Sequence, residues 1–223
     1  KHKIVRPFFT QHFARLDRQI VLVDALSALN AGPQAVHDLE TALTSVLSAF
    51  RVGANSWWSA IFRPRIQKIL FAATKADHLH HASHDRLEAI LRKMADGAIG
   101  RAAFSGAGVD VVALASIRAT REASVKQGRE TLPCIIGTPM AGERAGDEVF
   151  DGEAEIAVFP GELPADPRAV FAGGGFNGLE NLREGGVDYR FLRFRPPRLA
   201  DGQIFPHIRL DRALKFLIGE KLA

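Results

Sequence analysis

The chain has a single cysteine, Cys134, among 223 residues. No internal disulfide can form, which points to a reducing compartment, the cytoplasm. No apolar run approaches the roughly 18 residues that a membrane-spanning helix requires. The opening "KHKIVRPFF" lacks the apolar core of a signal peptide and begins without Met, so an incomplete chain is expected. The pattern G-x-x-x-x-G-K-[ST], whose backbone cradles nucleotide phosphates, is also missing. Phosphoryl transfer depends on phosphate cradling and magnesium, so this chain alone is not expected to perform it. There is no internal repeat.

What is present describes an ordinary globular chain. Hydrophobic residues make up 47% and charged residues 24%. The net charge of +4 and isoelectric point near 9.5 suit an anionic partner without selecting one.

Three short runs read as buried strands: "QIVLVDA" at 19–25, "KILFAAT" at 68–74 and "VDVVALAS" at 109–116. Each is continuously apolar rather than alternating, as strands covered on both faces are. The first is followed by "LSALNAGP", which reads as a loop, and then by a helix opening at Pro33 with Asn30 or Gly32 near its cap. Val36, Leu39, Leu43, Val46, Leu47 and Phe50 give that helix its apolar stripe. "HDRLEAILRKMADGAI" reads as one helix capped by Ser83, with Leu87, Ile90, Leu91 and Met94 on its buried side. Strand, helix, strand, helix, strand predicts a parallel sheet joined by crossovers.

Beyond Ser116 the pattern changes. "ATREASVKQGRETLPCIIG" predicts a hairpin turning at Gln127-Gly128, and Gly and Pro then thicken. Residues 118–206 read as a β-rich, loop-rich insertion. The last segment predicts a helix with Leu210, Ala213, Leu214, Leu217 and Ile218 on one stripe, returning to the sheet. The expected organisation is an α/β unit at 1–117, the insertion at 118–206 and a packed helix at 207–223.

The tip of the second strand carries the chemistry. "TKAD", Thr74 to Asp77, ends an apolar run just before a helix, and ligands of open α/β sheets bind at that edge. A carboxylate there can accept two hydrogen bonds from the ring N1–H and exocyclic amine of guanine, a pair that adenine lacks. At about 1.5–3 kcal/mol per charge-assisted bond, two select guanine by roughly a hundredfold or more. Lys75 can lay its methylenes along a base, and Thr74 can tie the loop to neighbouring backbone. The next strand tip, Ser116-Ile117-Arg118, offers a backbone N–H for the guanine carbonyl. The bland alternative is a solvated turn.

"RQIVLVDALSALNAGP", "KILFAATKADH", "LASIRAT" and "FPHIRLDRALKFLIGEKL" resemble the YcjX-like family, predicted P-loop NTPases that are stress-associated and GTPase-like. The resemblance runs over nearly the whole length and implies a P-loop NTPase-like parallel sheet, represented here by its later strands. It implies GTP or GDP as ligand, with guanine specificity on Thr74, Lys75 and Asp77. A Ser-Ala-Lys-like motif falls on Ser116, Ile117 and Arg118, where Ile117 departs from the usual small residue. The phosphate loop and the magnesium-linked Asp-x-x-Gly of the family lie upstream, so Mg2+ is expected only with that half. Asp24 lacks the glycine spacing to be that aspartate.

Other candidates are weaker. His80 and His84 have metal-ligand spacing, but no cysteine or carboxylate completes a set in sequence, so no metal is expected. Trp57-Trp58 beside Phe62, Arg51, Arg63 and Arg65 could dock on an acidic membrane or a protein partner, the alternative reading of the whole chain. "RFRPPR" at 193–198 has no nucleic-acid module around it, so no nucleic-acid partner is expected. Gly173-Gly174-Gly175 lacks a following helix and reads as a loop rather than a phosphate cradle.

Overall fold

The structure, a computed structural model, describes residues 17–49, 66–172 and 192–222. Val46, Leu47 and Phe50, the Trp57-Trp58 cluster with its arginines, and Gly173 to Gly175 fall where no side-chain description is made.

Three parallel strands form the central sheet in the order β1 (Arg18–Val23), β2 (Lys68–Ala73), β3 (Gly108–Ala113). Their register aligns Val23 with Ala73 and Ala73 with Ala113, so the three carboxyl ends lie level along one edge. β2 is the middle strand, and Ile69 to Ala73 are fully buried, as expected when both faces are covered.

One face is covered by helices. α1 (Ala25–Ala31) follows β1 at once, where the sequence predicted a loop. Asp24 starts it by accepting from the Ser27 amide at 3.2 Å and hydroxyl at 2.8 Å, a side-chain cap that outweighs the turn formers Asn30, Gly32 and Pro33. α2 (Pro33–Ala49) opens on Pro33 as expected, with the Gly32 carbonyl accepting the Val36 amide. Val36 and Leu43 are buried. The expected single helix after Ser83 is two, α3 (His84–Met94) and α4 (Asp96–Phe104), broken at Ala95. Asp96-Gly97 is a poor pair for helix continuation, and Asp96 instead enters the first turn of a new helix. Leu87, Ile90, Leu91 and Met94 are all fully buried in the same core as Ile69, Phe71, Val111 and Ala113. Ser83 precedes α3, but its side chain makes no capping hydrogen bond.

The other face meets α5 (Leu210–Leu222). Ala213 packs on Leu70, Ala72, Val112 and Leu114, flanked by Leu210, Phe216 and Leu217. Leu214, placed on the buried stripe by spacing, is exposed, and Phe216 takes its place. Ion pairs at the sheet fix the rotation of this helix. Arg212 reaches Glu88 and Asp110 from the first turn, and Lys68 pairs with Glu220 in the last while donating to the Phe216 carbonyl at 2.9 Å in the middle.

Residues between the third strand and α5 carry antiparallel strands. β4 (Arg121–Gln127), β5 (Glu130–Gly137) and β8 (Ile156–Val158) form one small sheet, and β6 (Arg144–Ala145) with β7 (Glu148–Val149) forms a hairpin. The β4–β5 turn contains Gly128 at φ 63°, a left-handed conformation in which a Cβ is strained. Ile135, Phe150, Val158, Leu192 and Phe194 make a separate apolar cluster.

Candidate functional site

The tip of β2 changes partners within three residues. The Thr74 amide donates to the Val23 carbonyl of β1 at 2.9 Å, and the Thr74 hydroxyl lies 3.3 Å from the same oxygen. The Ala76 amide instead donates to the Leu114 carbonyl beyond β3 at 3.2 Å. Lys75 turns the chain between these two bonds at φ 62°, a region costly for a side chain with a Cβ. A short 3₁₀ turn, Ala76–His78, then faces Asp77 toward the loop after β3.

Asp77 is 7% exposed. Its Oδ2 accepts the Ala119 amide at 3.1 Å, and the Thr120 hydroxyl donates to the Asp77 carbonyl. Oδ1 has no protein partner among the described residues. A carboxylate can accept about four hydrogen bonds, so this one has capacity left for a donor pair. His84 holds the turn from beneath, its Nε2 2.9 Å from the Ala76 carbonyl. Burial pushes the His84 imidazole below its ordinary pKa, which keeps it neutral.

Lys75 reaches sideways to β1, its Nζ 2.6 Å from Asp24 Oδ2. Partial burial pushes the Asp24 carboxyl up, but the hydrogen bonds from Lys75 and Ser27 outweigh it and hold the group below the usual carboxylate value. Asp24 is thus committed to capping α1 and to Lys75.

Ser116 and Ile117 are exposed at the next tip, and their amides donate to no acceptor among the described residues. On either side of them the backbone is pinned: Ala115 exchanges two bonds with Ile208, and the Arg118 amide donates to the Pro206 carbonyl at 2.7 Å. Arg118 folds onto its own segment, with Nε on the Thr120 carbonyl and Nη2 on Glu122 Oε1 at 2.9 Å. A cleft of about 630 Å³ opens beside this segment, walled by Arg118, Arg121, Arg195 and Arg198 among others. Asp77 does not line it, and three of those arginines are paired with Glu122, Glu155 and Glu153, so the strand tips rather than the cleft carry the unsatisfied donors and acceptor.

The histidine cluster is rearranged relative to the spacing argument. His84 is buried and engaged by backbone, so it does not pair with His80 as a ligand. His80 lies instead beside His81 and Glu122.

Ala119 and Thr120 were not selected from sequence, and Asp24 and His84 were weighed there only for metal roles, not for the ones they hold. Asp24 had a readable signal, an Asp-x-x-Ser spacing at a helix start. The others act through backbone groups or across long separations, which leave no local pattern.

The fold is that of an α/β protein with a parallel sheet, and level strand ends, an amide-bearing loop and a largely buried carboxylate with one partnered oxygen lie at the carboxyl edge, where ligands of open α/β sheets generally bind. The chain belongs to the YcjX-like family (DUF463), whose model it matches over residues 1–222. It is 39% identical over 221 residues to the "Ras-like GTPase YcjX" of Escherichia coli K12 and 34% identical over 225 residues to that of Shewanella oneidensis MR-1. Each match covers 99% of this chain but only 43% and 42% of the relative, so the chain spans less than half the length of these proteins.

Proposed function

We propose that this chain is the base-recognising part of a guanine-nucleotide-binding protein with a P-loop NTPase-like sheet, in which Asp77 accepts the N1–H and exocyclic amine of guanine. The observation that carries the reading is the state of Asp77: nearly buried, ionisable and bound by a single amide on one oxygen. Asp77 Oδ1 is not among the buried unpartnered side-chain atoms, so the oxygen left without a protein donor is open to a ligand that brings a pair of them. The Ser116 and Ile117 amides lie at the adjoining tip, where the guanine carbonyl needs a donor. The names of the relatives point the same way.

Phosphate and magnesium contacts come from sequence outside this chain in this reading. Asp24 does not fit a magnesium role, because Lys75 and Ser27 already occupy it. The sheet supports continuation into another segment: β1 is its outer strand, and Ile20 and Leu22 on that strand are 40% and 61% exposed. Among the described residues no helix is long and apolar enough to cross a membrane.

The test is competition binding on the full-length protein with GDP, ADP and XDP. Guanine nucleotide is expected to win over adenine nucleotide by roughly a hundredfold. Equal affinities would remove the role assigned to Asp77.

A further inference from the structure

We propose that His80, His81 and Glu122 form a binding site for a zinc-class divalent ion, which clamps the segment after the Asp77 turn to the start of β4. Each of the three presents one ligand atom, and these atoms all lie within 4.8 Å of one another. His81 Nδ1 hydrogen-bonds Glu122 Oε2, and His80 Nε2 stands 3.9 Å from the same oxygen. Ligands at about 2.0–2.2 Å around a tetrahedral ion sit roughly 3.3 Å apart, so the set needs closure of at most about 1.5 Å at its long side.

The donor set chooses the metal. Two imidazoles and one carboxylate suit zinc and its borderline neighbours; magnesium and calcium favour all-oxygen sites. Three protein ligands with His81 two-thirds exposed leave a fourth position open to water. The ion takes the place of the proton between His81 Nδ1 and Glu122, and the neutral His81 ring then carries its proton on the exposed Nε2. Coordination through His80 Nε2 puts the remaining proton on Nδ1, so the long 3.3 Å contact from the Ala82 amide is given up. Arg118 holds the other Glu122 oxygen, which orients the carboxylate but repels the ion, so moderate affinity is expected.

The consequence is local. His80 and His81 sit three and four residues after Asp77, and Glu122 sits two residues after Thr120, which already binds the Asp77 carbonyl. The ion fastens the two segments that hold Asp77 at a second point.

The experiment titrates metal-free full-length protein with Zn2+ against a chromophoric chelator, in excess Mg2+ so that sites for hard cations are filled. One saturable zinc per chain is expected, together with a zinc-dependent rise in melting temperature. Co2+ in its place should give the intense visible absorption of a tetrahedral ion. H81A, whose side chain is exposed and expendable for packing, and E122Q should each weaken zinc by about tenfold to a hundredfold and abolish the thermal shift. H37Q, which alters a histidine remote from the cluster, should change neither. Zinc affinity unchanged in H81A/E122Q, or no saturable zinc in the presence of Mg2+, overturns the proposal. Nucleotide preference is measured separately, so a failure here leaves the guanine reading standing.

Discussion

The amide of Ala119 donates to Asp77 Oδ2 across 3.1 Å, joining residues 42 apart in the chain. That bond sets the side chain between two strand tips, where the proposed guanine would meet both.

Removal of the carboxylate separates recognition from folding. In the full-length protein, Asp77→Ala should erase the guanine preference of roughly a hundredfold. It should also cost about 1–3 kcal/mol of stability, because the Ala119 amide loses its acceptor. Asp77→Asn keeps the shape and exchanges an acceptor for a donor, so preference should move toward xanthine, whose second carbonyl accepts. Competition binding with XDP reports the first effect and denaturant melts the second. An Asp77→Asn protein that still prefers guanine would count against the assignment.

Lys75 offers a backbone test. At φ 62° alanine is strained and glycine is not. Lys75→Gly should therefore be more stable than Lys75→Ala by about 1 kcal/mol, the reverse of the order in a helix or strand. The ion pair to Asp24 is half-exposed, lost in both variants, and worth at most about 1 kcal/mol. Urea midpoints of the two variants decide the order.

His84 makes stability depend on pH. Its folded pKa lies below the ordinary value near 6.5, first through burial and also through the positive charge of Arg209. Bonds to the backbone and the Glu122 charge act the other way but do not reverse the shift. The unfolded chain therefore binds the proton more readily than the folded one. This contribution is fully present above about pH 6.5 and is lost as pH falls from there toward the lower folded pKa. Chemical denaturation at steps from pH 7.5 to about 5 should show the decline. His84→Asn should be less stable at neutral pH and show a flatter profile over the same interval.

Gly137 sits under an aromatic ring. A Cβ there would lie 2.7 Å from Phe194 Cδ1. Phe194 is buried in the small cluster and also meets the His78 ring edge-on at 5.6 Å, so it has little room to retreat. Gly137→Ala should destabilise by about 1–3 kcal/mol, and adding Phe194→Leu should recover part of the loss. Additive effects in that pair would show that the ring and the glycine do not meet.

The sheet was legible in sequence because its middle strand and the end of β3 are buried on both sides, while β1, though exposed at Ile20 and Leu22, is still a continuous apolar run. Ile69 to Ala73 and Val111 to Ala115 leave no polar position to confuse the reading. α2 and the buried side of α3 were equally clear, since Val36, Leu43, Leu87 and Leu91 recur at helical spacing. α1 was not, because Asn30, Gly32 and Pro33 dominate a seven-residue helix whose stability comes from one capping carboxylate. Leu214 was misplaced because spacing gives a stripe but not its rotation, which Arg212 and Lys68 fix through ion pairs to distant residues. At the site, Thr74, Lys75 and Asp77 stood out by position at a strand end. Their partners Asp24, Ala119 and Thr120 lie 42 to 51 residues away and contribute mostly backbone or short polar groups. The meeting of His81 with Glu122 likewise depends on how β4 leaves the sheet.

β4 begins at the residue immediately after Thr120. The antiparallel ribbon is therefore rooted in the same few atoms that seat Asp77, with no slack between them. The two hydrogen bonds that hold Asp77 therefore also anchor the base of a seven-residue strand, so the aspartate and the ribbon share one footing.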